Sequence, residues 1–127
     1  SENNINESNN NLLENNNKPL ASPPPNITIE QRDRAWLIVS NNNTQNVSMT
    51  NLIRFFVREK RNNNPDVLAI LARAGLMACN NVSDYTTGNP NCGNIFSYAI
   101  THVGYAPPTQ MYPKRYFDNL IAYFNSN

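Results

Sequence analysis

Runs of asparagine cut this chain into short apolar pieces, and that cutting limits most strongly what it can build. Asparagine supplies 26 of the 127 residues, nine of them within the first seventeen. Its side chain has no apolar area to bury, and it competes with the helix by bonding nearby backbone. The runs at 41–43, 62–64 and 80–81 therefore read as helix ends. The N-terminal cluster, closing in Pro23-Pro24-Pro25, reads as a disordered Asn/Pro-rich arm over residues 1–27. Residues 28–127 read as one helical domain, long enough for one core.

Between the runs, apolar residues recur at helical spacing. Thr28-Ile29-Glu30-Gln31 fits a capping box and opens a first helix, with Ile29, Trp36, Val39, Ala35 and Ile38 as its apolar face. The single tryptophan, Trp36, is expected as a core anchor with its indole N–H satisfied at the boundary. Ser48 or Thr50 caps a second helix, whose buried stripe is Met49, Leu52, Ile53 and Phe56. Asn64-Pro65-Asp66 starts a third. Val67, Leu68, Ile70, Leu71, Ala74, Met77 and Ala78 make it the most apolar, with Gly75 permitting a close neighbour and Asn80-Asn81 ending it. Val82–Gly93 is rich in turn formers and reads as a long loop. A fourth helix follows from Asn94, carrying Ile95, Phe96, Ala99, Ile100 and Val103 and ending at Gly104. The last starts near Pro113, with Tyr116, Phe117, Leu120, Ile121 and Phe124 inward. No period-two strand pattern stands out. The expected fold is all-α, a compact bundle of about five short helices behind the arm.

Several chemistries lack their residues. One histidine and two cysteines without paired spacing give no zinc site, and the isolated glycines form no phosphate-binding loop. No metal, cofactor or small-molecule substrate is indicated, and the chain is not expected to be an enzyme. No apolar run reaches the roughly 18 residues that span a bilayer, and the N-terminus has no basic-then-apolar signal pattern. Barring a removed leader, the expectation is a soluble, intracellular chain. Asn-x-Ser/Thr occurs at Asn6, Asn26, Asn42, Asn46 and Asn81. This composition produces about three such triplets by chance, so as sequence alone they carry little weight. Cys79 and Cys92 have three readings: small core residues, a bridge that a reducing compartment opposes, or a Cys92–His102 thiol site at a helix start. The structural readings are preferred.

Charge is concentrated more usefully. Residues 1–27 carry −2 and residues 28–127 carry +3. Arg54, Arg58 and Arg61 are four and then three apart, so they share a helix face, with Lys60 beside them. Asp33 or Asp66 is the expected source of any neutralising partner. Lys114 and Arg115, among Tyr112, Tyr116 and Tyr123, form a second basic group suited to bases or a protein surface.

An arm, a small helical body and an Arg stripe together make a layout similar to that of subunits of helical nucleoprotein coats, with no motif behind the similarity. The likeness implies phosphate contacts without sequence readout. The leading expectation is a non-enzymatic structural subunit that self-associates, as a homo-oligomer or larger assembly, and binds an RNA or DNA backbone. The alternative is a monomeric adaptor holding a partner near Tyr105, Pro107, Pro108 and Tyr112.

Overall fold

The computed structural model describes residues 23–42, 46–86, 92 and 111–126. Among them are five helices, α1 (Ile29–Val39), α2 (Met49–Arg61), α3 (Pro65–Ala74), α4 (Val82–Thr86) and α5 (Lys114–Asn125). Two short strands, β1 (Asn46–Ser48) and β2 (Met111–Pro113), pair antiparallel with Val47 opposite Tyr112. Residues 1–22 of the arm and the expected fourth helix from Asn94 lie outside the described residues. So does the segment 87–91 of the expected loop.

The starts of α1, α2 and α3 have local causes. Thr28 and Gln31 form the expected capping box, Gln31 N donating to Thr28 Oγ1 at 3.1 Å and Thr28 N to Gln31 Oε1 at 2.9 Å. Ser48 Oγ accepts from Asn51 N, so the last residue of β1 is also the cap of α2. Asn64 Oδ1 accepts from Asp66 N, with Pro65 in the first helical position.

Three of the helix ends share one geometry. Asn41, Asn63 and Gly75 adopt left-handed φ of 54°, 56° and 73°. Each donates back to the carbonyl three residues earlier, and the following N–H reaches the carbonyl five residues before it. That pair of bonds is the Schellman ending, usually built on glycine, and here asparagine supplies it twice. The asparagine runs at 41–43 and 62–64 thus end α1 and α2 as expected. The third run does not end α3. Gly75 does, and nothing lies within 4 Å of where its Cβ would be, so its role is conformation and not close helix approach. Met77 and Ala78, expected inside that helix, lie exposed beyond it.

The core centres on α3, where Val67, Ile70 and Leu71 are wholly buried against α1, α2 and α5. From α2 come Leu52, Ile53, Phe55 and Phe56, and from α5 Phe117, Leu120, Ile121 and Phe124. Trp36 packs against Phe117 with ring centroids 5.5 Å apart. Its Nε1 is buried and finds no acceptor among the described residues, contrary to the expected boundary position. Ile29 and Ile38, expected inward on α1, point outward instead, at 64% and 44% exposure. Only Ala35 and Trp36 of this helix are buried, because α1 meets the core along a narrow line. Ile27, placed with the arm by its sequence, is buried, and Asn125 brackets it by accepting from its N–H and donating to its carbonyl.

Two further features depart from the sequence reading. The strand pair is absent from an all-helical expectation because each strand has only three residues. The expected loop from Val82 opens with α4, capped when Asn81 Oδ1 accepts from Asp84 N at 3.1 Å. Fully buried Tyr85 ties α4 down, and burial followed by the nearby Asp84 charge pushes its phenol up to about 12. Cys79 and Cys92, both fully buried, are joined in a disulfide with Cα atoms 6.0 Å apart.

The core assignment predicts contrasting truncations. Leu71→Ala, at a fully buried site, is expected to cost about 2–5 kcal/mol. Leu37→Ala, on the exposed side of α1, is expected to stay within about 0.5 kcal/mol. Urea denaturation of the two variants measures both.

Candidate binding face

Alternation of apolar and charged residues gives α2 two distinct sides. Met49, Leu52, Ile53 and Phe56 face the core, while Arg54, Arg58 and Arg61 are exposed. Arg54 and Arg61 make no ion pair or side-chain hydrogen bond among the described residues. From Arg54 to Arg61 the helix rises about 10 Å, comparable to about three phosphate steps along one nucleic-acid strand. Three cations in the last turn also oppose the negative end of the helix dipole, which gives Arg58, Lys60 and Arg61 a structural reason to be there.

Arg58 is partly engaged. Its Nε donates to Glu59 at 2.8 Å and its guanidinium lies 5.7 Å from the Phe55 ring centroid. Glu59 also accepts from Asn64 Nδ2 at 3.0 Å. The Asn64 bond first, and then Arg58, hold the Glu59 carboxyl below its usual range.

Lys60 does not belong to the free face. Its ammonium donates to the carbonyls of Met77 and Cys79 and to Asn80 Oδ1, tying the end of α2 to the segment that enters the disulfide. The side chain is occupied as a structural clamp.

Lys114 is occupied as well. It donates to Asp33 at 2.9 Å and to Asp118 at 2.9 Å, while Arg32 lies 2.9 Å from Asp33 and 3.1 Å from Asp118. Two cations and two carboxylates thereby close a neutral square between α1 and α5. Lys114 as hydrogen-bond donor, and then Arg32, hold Asp33 below its usual range. Arg115 remains exposed, 5.3 Å from the Tyr116 ring centroid. The other acid expected to neutralise the α2 stripe, Asp66, is instead gripped at both oxygens by Arg34 at 2.9 Å. Neither Asp33 nor Asp66 touches the Arg54/Arg58/Arg61 face.

The six expected cations therefore separate by what they touch. Arg54, Arg58 and Arg61 share a face, Lys60 and Lys114 hold the fold together, and Arg115 sits on another helix. Of the second candidate surface, Tyr112 is buried and its ring meets Tyr116 edge-on at 5.5 Å. Tyr112 and Tyr116 line a shallow cleft of about 20 Å³ with Val47, Met49, Leu52 and Leu120. Tyr105, Pro107 and Pro108 lie outside the described residues, as does His102. The disulfide leaves neither cysteine as a free thiol, so the Cys92–His102 arrangement lacks its nucleophile. Among the described residues no group of acids, cysteines or histidine is arranged to hold a metal, and no helix is long and apolar enough to cross a membrane.

The sequence missed the charged square. Lys114 and Asp118 are an i, i+4 pair that was visible, but the partners Arg32 and Asp33 arrive only when α1 packs on α5. No family model, curated protein or solved structure matches the chain.

The acid side of this network sets a pH dependence. Asp33 and Glu59 both have folded-state values below those of the unfolded chain. Their stabilisation is therefore present above roughly pH 4 and lost as pH falls through the folded-state values. Urea midpoints taken between about pH 5 and about pH 2.5 are expected to fall less for Asp33→Asn with Glu59→Gln than for the parent chain. Parallel curves would show that the pairs contribute nothing.

Proposed function

We propose that the chain is a non-enzymatic binding and assembly subunit whose α2 face, Arg54, Arg58 and Arg61, holds a nucleic-acid phosphate backbone. One observation carries the reading: Arg54 and Arg61 are exposed without ion partners among the described residues, while the nearby acids are engaged elsewhere. Guanidinium groups suit this work because their fork of donors matches phosphate oxygens. A row on one helix supplies charge without base-edge contacts, so binding is indifferent to sequence and sensitive to salt. Self-association follows the same reading, since a few arginines per subunit hold a strand only when many subunits act together.

A second reading rests on the cleft beside Tyr112, Tyr116 and Leu120, an apolar recess beneath the strand pair. It has room for little more than one water-sized group, so it suits an adaptor whose partner lays a small apolar group against it.

Fluorescence anisotropy of single-stranded RNA against salt tests the first reading. The triple Arg54→Ala, Arg58→Ala, Arg61→Ala variant is expected to reduce the salt slope by about 2 in log K per log salt. Lys60→Met is expected to lower stability by about 1–3 kcal/mol and keep most of the slope. Equal binding by a folded triple variant at low salt would remove the proposal. Light scattering on the free chain and on its RNA mixture measures the assembly.

A further inference from the structure

Five Asn-x-Ser/Thr triplets are no more than a composition effect until the fold sorts them. Asn6 lies outside the described residues, and Asn42 is followed by residues that do as well. Asn46 is half-buried in the strand pair, with Val47 in the core. Asn26 is exposed but precedes Ile27, which is buried. Only at Asn81-Val82-Ser83 are all three residues described and exposed.

The local geometry there fits a glycan acceptor. Asn81 Oδ1 accepts from Ser83 Oγ at 2.6 Å and from Asp84 N at 3.1 Å. Both bonds are on the oxygen, and Nδ2 donates to nothing among the described residues. The amide is thus held by its carbonyl with its nitrogen unengaged at the surface. An independent observation bears on the compartment. Two residues earlier, Cys79 is in a disulfide with Cys92, a bond that forms and persists in oxidising surroundings. The same surroundings house the transfer of glycans to Asn-x-Ser/Thr.

We infer that Asn81 is an N-glycosylation site, acquired in an oxidising secretory compartment. The donor is an oligosaccharide linked through pyrophosphate to a polyprenyl lipid. Asn81 Nδ2 bonds to the anomeric carbon, the bond from that carbon to the pyrophosphate oxygen breaks, and the electron pair leaves with the lipid pyrophosphate. The Nδ2 proton passes to a base of the transferase, and nothing is oxidised or reduced. The inference goes beyond the phosphate-binding reading and stands without it.

The test uses the chain purified from the cells that make it, digested with peptide-N-glycosidase in heavy-oxygen water. The expected result is a peptide in which position 81 has become heavy-oxygen aspartate. An Asn81 peptide recovered unglycosylated and unconverted overturns the inference. Because Asn81 also caps α4, Asn81→Gln risks the fold, so Ser83 supplies the second measurement. In the same cells, Ser83→Ala is expected to lose the glycan and Ser83→Thr to keep it. A glycan that persists on Ser83→Ala at position 81 also overturns the inference.

Discussion

Everything else in the structure is arranged around the burial of α3. Its ten residues carry a face of Val67, Ile70 and Leu71 with no exposure at all, which requires neighbours on several sides. The helices α1, α2 and α5 supply them. Polar bonds fix both of its ends. Asp66 at the first turn takes both arms of Arg34 from α1, and Arg73 in the last turn donates to the carbonyls of Pro24 and Asn125. Pro24 and the end of α5 are thereby held at one place. Removing water from α3 drives the assembly of the helices, and these end contacts tie its two ends to α1 and to the end of α5.

A core made this way leaves charge to be distributed over what remains. Carboxylates on α1 and α5 meet Arg32 and Lys114, and Asp66 meets Arg34. Lys60 is drawn onto backbone carbonyls near the disulfide. The exposed face of α2 keeps its arginines because the one acid bonded to it among the described residues, Glu59, is shared with Asn64 and reaches only Arg58. A free cationic face is thus a consequence of where the acids are used, and that pattern supports the phosphate-binding proposal.

Much of the helical order was readable because its causes are local. Thr28 with Gln31, and Asn64 with Pro65, are signals within four residues of each other, and their bonds form inside one turn. The stripe of α2 and that of α5 were readable for the same reason, since period alone places Leu52 and Phe56, or Phe117 and Ile121, on one side. The errors arise where a distant partner decides. Ile29 and Ile38 have the right spacing but stay exposed, with no described neighbour covering them. Gly75 ends α3 ahead of the asparagines at 80–81, because the first residue able to take a left-handed turn wins. Lys60 looked free because its acceptors lie in another segment, and Lys114 because Asp33 comes from α1 to join its near neighbour Asp118. The strand pair could not be read from two three-residue stretches that become strands only by meeting.

By itself, the sequence determined where α1, α2, α3 and α5 begin, the apolar stripes of α2 and α5, and that asparagine would close α1 and α2. These are properties of a few neighbouring residues, and asparagine tolerates the left-handed geometry that a helix end needs. Tertiary structure alone decided which of the described cations are free, which cysteines are joined and which of the fully described Asn-x-Ser/Thr triplets lies wholly at the surface. Each of those depends on groups far apart in the chain that only burial of α3 and its neighbours brings within bonding distance.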